Sequence, residues 1–364
     1  MNYVAPWWLP GGNVQTIWAA LRARRCVGPP PVFRRERWST PDQDFVDVDW
    51  LLDIAPTLTA APDAPCGDAA PAAPGLCAAP ASAPRQPLLV LFHGLEGSSA
   101  SHYSQAFADV ARGQGWAFAV PHFRGCSGEV NLAPRAYHSG DFTEIDWLLR
   151  RFARGHAGPV LAVGISLGGN ALMRWAGELG DGAGELVSAL ASVCSPLDLT
   201  ASGQAIGRGF NRQVYTRMFL STMVPKALQK LDQHPGLFDR QALLAARDLH
   251  AFDDVFTGPV HGFGTADDYW RLASAKPYMR QIAVPALALN ALNDPFIPAG
   301  SLPQPANVSR HVTLWQPAYG GHVGFPAASY PAHVRAMPEA VAAFLAAHLP
   351  AASQAEAQAW RDPA

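Results

Sequence analysis

Apolar positions along the chain follow two rhythms. The unbroken runs Leu88–Phe92, Trp116–Val120, Val160–Ile165, Leu186–Val193 and Pro285–Leu289 are short and rich in aliphatic residues, as expected of strands buried on both faces of a parallel sheet. Between them apolar residues recur at helical intervals, over Ser104–Arg112, over Asp141–Arg154, at Leu167, Ala171, Leu172 and Trp175, and again over His333–Leu349. Strand and helix alternating in this way imply right-handed crossovers, and so an α/β fold with a mostly parallel, doubly wound sheet. His311–Trp315 supplies the last strand. Near the start, Arg34–Thr40 and Asp44–Leu52 read as an antiparallel pair at the sheet edge, the second strand with its acids facing out and its apolar residues in.

One region breaks the alternation. Over residues 197–275 buried-strand runs give way to helical spacing, through Phe210, Val214, Met218, Phe219, Met223, Leu228, Leu231, Leu243, Leu244 and Leu249. This predicts a helical cap inserted over the carboxyl ends of the strands. Residues 55–87 are a different interruption, dominated by alanine and proline, which bury too little apolar surface to offset their ordering entropy. They are expected to be a disordered insertion within a single domain spanning 1–364.

Charge narrows the partners. The chain carries 27 Lys and Arg against 29 Asp and Glu, and no basic block beyond Arg22–Arg25, so nucleic acid is not expected and a small neutral substrate is. Five scattered cysteines form no Cys-x-x-Cys pair, which predicts neither a disulfide framework nor a metal site, and nothing calls for a cofactor. The start lacks a basic segment followed by an apolar core, and no run of about 18 apolar residues occurs, giving the expectation of a soluble, cytoplasmic protein without stable membrane insertion. Trp7, Trp8 and Leu9 are expected to pack on the core, with weak peripheral membrane contact as the competing reading.

The candidate chemistry starts at Gly164-Ile-Ser-Leu-Gly168, where a strand meets a helix. A Gly-x-Ser-x-Gly in that context is a nucleophile elbow, whose strained turn lifts the Ser166 hydroxyl out of the sheet. The helix start, with the Leu167 N–H, suits a developing oxyanion, and the loop His93-Gly-Leu-Glu-Gly97 after another strand offers the Leu95 N–H as a second donor. His93 is expected to orient that loop. Serine needs a base, and the base an acid, here in the chain order Ser, acid, His. Asp294 and His322 stand in loops after successive strands and fill those roles, with Asp198 as the competing acid. Phe219 and Met223, together with Phe210 and Met218, are expected to cover the acyl chain, and His122 and His138 to reach the pocket.

These residues resemble the YheT-type α/β-hydrolases. The likeness runs through Trp7-Trp-Leu with Gln15-Thr16, His93-Gly-Leu-Glu-Gly-Ser98, His122-Phe-Arg-Gly-Cys-Ser-Gly128, Gly164-Ile-Ser-Leu-Gly-Gly-Asn170, Phe263-Gly with Asp267-Asp-Tyr-Trp-Arg-Leu-Ala-Ser274, Asn293-Asp-Pro-Phe-Ile-Pro298 and Gly321-His322. The chain departs from the family at Asn13, where histidine is usual, and in the Ala/Pro-rich insertion. The resemblance implies an α/β-hydrolase fold, a Ser166–Asp294–His322 triad and hydrolysis of carboxylic esters. The expected substrates are short- to medium-chain acyl esters. Two other readings stand beside it: acyl transfer to an alcohol through the same acyl-enzyme, weakened by the lack of a His-x-x-x-x-Asp pattern, and a binding protein on a hydrolase fold without catalysis.

Overall fold

The structure is a computed structural model describing residues 2–52 and 86–351. The expected disordered insertion at 55–87 lies, but for its last two residues, outside the described residues. Eight strands form one sheet in the order β1-β2-β4-β3-β5-β6-β7-β8, built from β1 (Phe33–Ser39), β2 (Phe45–Leu51), β3 (Leu88–Phe92), β4 (Ala117–Pro121), β5 (Val160–Ile165), β6 (Ala189–Val193), β7 (Ala286–Leu289) and β8 (Val312–Trp315). Pairing is antiparallel from β1 through β2 to β4 and parallel from there to β8. The register sets Phe92 beside Gly164, Ile165 beside Val193, and Val193 beside Leu289. Four strands therefore end level with one another, which brings the loops that follow them to one place.

α1 (Gly11–Leu21) precedes the sheet. α2 (His102–Gly113), α3 (Phe142–Gly155) and α4 (Leu167–Leu179) follow β3, β4 and β5. α3 and α4 pack one face of the sheet through Ile145, Leu149, Leu172 and Trp175. α2 and the final helix, which spans Ala336–Ala346, cover the other through Phe107, Ala111, Val341 and Leu345. Both faces are thus sealed, and strands β3 to β7 are buried from end to end except for Ala117.

Between β6 and β7 the chain leaves the sheet for α5 (Leu199–Ile206), α6 (Gly209–Asn211), a π-helical turn (Arg212–Thr216) running straight on into α7 (Arg217–Gln233), then α8 (Arg240–Ala245), α9 (Leu249–Val255), α10 (Thr257–Val260) and α11 (Ala266–Ala273). The final helix is accordingly α12. The helical insertion has an apolar centre of its own around Ala227, Leu243, Phe252 and Phe256.

Two details differ from the pattern read in the sequence. Asp47 and Asp49 of β2 are buried, not outward. Arg37 and Arg35 each grip one of them with two hydrogen bonds, and the hydroxyls of Ser127 and Ser99 donate to Asp47 at 2.7 Å and to Asp49 at 2.6 Å. Loops folding over the sheet edge hide the polar face of the strand, and paired partners make the burial tolerable. At the start of the chain, Leu9 is buried and Trp8 packs on Trp18 and Tyr330, but Trp7 is 92% exposed. Among the described residues no helix is long and apolar enough to cross a membrane.

Candidate active site

Ser166 occupies the single residue between β5 and α4, with φ 50° and ψ −116°. That backbone is costly for any residue with a Cβ and persists only where the surroundings enforce it. Two close approaches do so. A Cβ on Gly164 would lie 2.5 Å from the Gly168 carbonyl oxygen, and one on Gly168 would lie 2.5 Å from the carbonyl oxygens of Phe92 and His93. The Ser166 N–H donates to the Val193 carbonyl at 2.8 Å, tying the elbow to β6.

The loops after β7 and β8 complete the arrangement. Ser166 Oγ lies 3.0 Å from His322 Nε2, and His322 Nδ1 lies 2.9 Å from Asp294 Oδ2. The carboxylate can only accept, so Nδ1 carries the proton and Nε2 is left to accept from the serine hydroxyl. Asp294 is buried, and its other oxygen accepts the Phe296 N–H at 2.8 Å. The Phe296 ring sits 4.1 Å from the imidazole, covering it. Asp198 instead caps α5 by accepting the Ala201 N–H, which spends its carboxylate on the helix.

The histidine loop is braced from behind by α1. The His322 N–H donates to Thr16 Oγ1 at 2.8 Å, and Gln15 Oε1 accepts from both the Gly320 N–H and the Asn293 side-chain amide. Gly321 packs so tightly against this helix that a Cβ on it would lie 2.7 Å from the Gly12 carbonyl oxygen. These α1 contacts were not foreseen from the residues, since nothing local in Gln15-Thr16 points to a loop three hundred positions away.

Facing the elbow, Gly94–Gly97 forms a tight turn closed by the Gly97 N–H on the Gly94 carbonyl at 2.9 Å. The N–H of Leu95 makes no hydrogen bond within the described residues, and Leu95 and Leu167 both line the cleft beside Ser166. His93 holds the turn as expected: its Nδ1–H donates to the Gly94 carbonyl at 2.8 Å and Nε2 accepts the Phe123 N–H at 3.0 Å. Burial pushes its pKa down to about 3, so the ring stays neutral. Glu96 sits at φ 56°, where glycine is the usual occupant of such a turn. Its N–H donates to the Tyr137 hydroxyl, whose own proton goes back to the Glu96 carboxylate at 2.9 Å, and Lys226 of α7 pairs with the second carboxylate oxygen at 2.8 Å.

The cleft is open to solvent on one side and has a cavity volume of about 160 Å³. Ser166 and His322 lie in the sheet-side wall; Leu199, Ile206, Phe219, Met223, Phe252 and Phe256 form the opposite one. Phe219, Met223 and His138 line the cleft. Three residues expected there do not. His122 is absent from the cleft wall, buried with Nε2 on Asp49 at 2.8 Å and Nδ1 towards the Cys126 carbonyl, because the acid it serves lies inside the sheet edge. Phe210 and Met218 point to solvent, each 53% exposed, because the long helix turns its other face to the cleft.

Lys226 and Lys230 were missed, although both follow Phe219 and Met223 at helical spacing. Lys230 is buried, donating to the carbonyls of Asn131 and Ala133, and burial lowers its pKa to about 8. Cys194, Asp294 and His322 bring three donor atoms within 4.8 Å of one another. As a metal site this set is poor: burial holds the thiol well above its ordinary pKa, and the facing imidazole nitrogen is engaged by Asp294.

Comparison with known proteins bears on the family and the fold. The family model of the alpha/beta hydrolase fold matches residues 87–328. The chain is 37% identical over 308 residues to YheT of Escherichia coli (strain K12), whose own name marks it as an esterase candidate, across 81% of this chain and 82% of that protein. It is 26% identical over 330 residues to the phospholipase ABHD3 of Homo sapiens, across 89% of this chain and 73% of that protein. Among solved structures it resembles the Pyrococcus furiosus esterase Pf2001, with a TM-score of 0.52, 12% identity and coverage of 91% of this chain and 100% of that one. At that identity the likeness speaks to the fold alone.

Proposed function

The chain belongs to the α/β-hydrolase family, and from that premise we propose that it is a serine hydrolase of carboxylic esters working through an acyl-enzyme on Ser166. The observation that carries the reading is the unbroken relay from Ser166 Oγ to His322 Nε2 at 3.0 Å and from His322 Nδ1 to Asp294 at 2.9 Å, set in the wall of an apolar cleft. His322 takes the serine proton as Oγ attacks the ester carbonyl, and Asp294 fixes the tautomer and stabilises the imidazolium. The N–H groups of Leu95 and Leu167 receive the oxyanion. Collapse of the tetrahedral intermediate expels the alcohol, protonated by His322. Water, deprotonated by the same histidine, then releases the carboxylic acid and restores Ser166.

The acyl chain lies against Phe219 and Met223, which favours short- to medium-chain esters over acetyl esters. The test of the mechanism is intact-mass analysis after reaction with a serine-directed fluorophosphonate. One adduct per chain is expected, absent from Ser166→Ala, and an adduct of equal yield on that variant would place the nucleophile elsewhere. Turnover of a chromogenic ester by the variant should fall by several orders of magnitude.

A further inference from the structure

The helical stretch from α6 through α7 has two faces, and the mechanism uses only one. Phe219, Met223, Lys226 and Lys230 lie on the cleft side. Phe210, Val214, Met218, Ser221 and Pro225 follow at helical intervals on the other side, and all five are exposed. Three of them are large apolar residues, 53%, 37% and 53% exposed, in one row, with the Phe210 ring meeting Tyr215 edge-on. Asn13 of α1 accepts the Tyr215 hydroxyl at 2.9 Å and so joins α1 to this stretch.

The charge around the row has one sign. Between Asp198 and Asp232 the sequence holds no acidic residue, yet it holds Arg208, Arg212, Arg217, Lys226 and Lys230. The two lysines turn inward, Lys226 to Glu96 and Lys230 to backbone carbonyls. The three arginines are exposed, and no carboxylate pairs with them among the described residues. Arg212 and Arg217 also edge a groove floored by Leu220, Val224 and Leu243, with Arg247 on its far side. An exposed helical row of apolar side chains flanked only by cations is matched by a surface that is anionic outside and apolar beneath.

We propose that this outer face of α6 and α7 docks the protein on a bilayer containing anionic lipids. Phe210, Val214 and Met218 enter the headgroup boundary, and Arg208, Arg212 and Arg217 meet the lipid phosphates. One helix diameter, about 10 Å, then separates the bilayer from the cleft wall made by the opposite face of the same helix. An ester leaving the bilayer reaches Phe219 and Met223 with only a short passage through water. Docking is a property of the surface and needs no turnover, so it is read on the Ser166→Ala variant as well as on the wild type. Its failure is thereby distinguishable from failure of the esterase reading.

The experiment is co-sedimentation of the full chain with vesicles of phosphatidylcholine alone or mixed with phosphatidylglycerol, at low and high salt. Binding is expected to the mixed vesicles, to weaken as salt rises, and to be slight on phosphatidylcholine alone. Arg208→Gln, Arg212→Gln and Arg217→Gln combined should lower partitioning by about a hundredfold. Phe210→Ser, Val214→Ser and Met218→Ser combined should lower it to a similar degree, while both sets keep wild-type turnover of a soluble short-chain ester. That turnover also verifies folding. Wild-type partitioning by either set, or no binding to the mixed vesicles, overturns the proposal. Loss of binding on Trp7→Ser with the cap variants still bound would move the docking surface to the start of the chain, and a dimer dissolved by the cap variants would make the face a contact between copies.

Discussion

The two walls of the cleft are made differently. On the sheet side, Ser166, Asp294, His322 and Leu95 hang from loops that begin where a strand ends, and backbone contacts too close for a Cβ fix them at Gly164, Gly168 and Gly321. On the helical side, Phe219 and Met223 ride on a long helix held by side chains, through small apolar clusters separate from the two main cores and through the polar contacts of Lys226 and Lys230. Backbone interlocks permit almost no displacement, whereas side-chain packing can be rebuilt with modest loss. In a molecule built this way the reaction and the choice of acyl chain can be altered independently.

The largest effect that would break this division is expected at the acid. Asp294→Asn should lower kcat by about 10⁴-fold through the wrong histidine tautomer, while Asp198→Asn, which removes only a helix cap, should stay within about threefold of wild type. Steady-state hydrolysis of one activated ester measures both, and the reverse order would transfer the acid to the loop after β6. A smaller loss tests a place where the walls touch. Glu96→Ala frees the turn carrying Leu95 from Lys226 and removes one of its two hydrogen bonds to Tyr137, so kcat should drop by about tenfold with KM nearly constant. Lys226→Met should show part of the same loss. A change confined to KM would assign Glu96 to substrate binding and leave the oxyanion turn independent of the helices.

The helical wall is probed by chain length. Each buried methylene adds about 0.8 kcal/mol, so kcat/KM should rise about fourfold per carbon over the first few carbons. Phe219→Ala combined with Met223→Ala should cut that rise to below about twofold per carbon and leave acetyl-ester turnover nearly intact. An unchanged slope would put the acyl chain elsewhere in the cleft. The smallest effect concerns pH. Burial keeps His138, between the walls, at a pKa of about 4, against an ordinary value of 6.5. The unfolded chain therefore takes up this proton first as pH falls, and stability that is complete above pH 6.5 drains away between 6.5 and 4. Unfolding free energies from urea titrations at pH 7 and pH 5 should differ less for His138→Gln than for wild type, by about 2 kcal/mol. Identical differences would mean that the ring stays accessible to protons in the folded state.

The same contrast explains what could be read from residues alone. Strand ends are legible because buried parallel strands are short, unbroken apolar runs, and Gly164-Ile-Ser-Leu-Gly168 marks its own turn. Asp294 and His322 each stand just past such a run, so their meeting follows from the sheet. The helical wall resists this reading because its main helix is apolar on two faces. Phe210 and Met218 look no different in sequence from Phe219 and Met223, and periodicity cannot say which row meets the cleft. His122 failed for another reason: its partner, Asp49, looked like a surface acid until β1 and the neighbouring loops covered it.

The brace formed by α1 matters to anyone who handles this protein. Gln15 and Thr16 hold the loop carrying His322 through two hydrogen bonds and the loop carrying Asp294, at Asn293, through a third, so the first helix is a mechanical part of the proposed catalytic apparatus. A fusion partner or immobilising linker that pulls on residues 11–21 would drag on the proposed general base, and activity is expected to fade before any melting curve registers damage. Attachment is better made elsewhere, and a reporter dye placed on α1 would double as a strain gauge for the histidine loop.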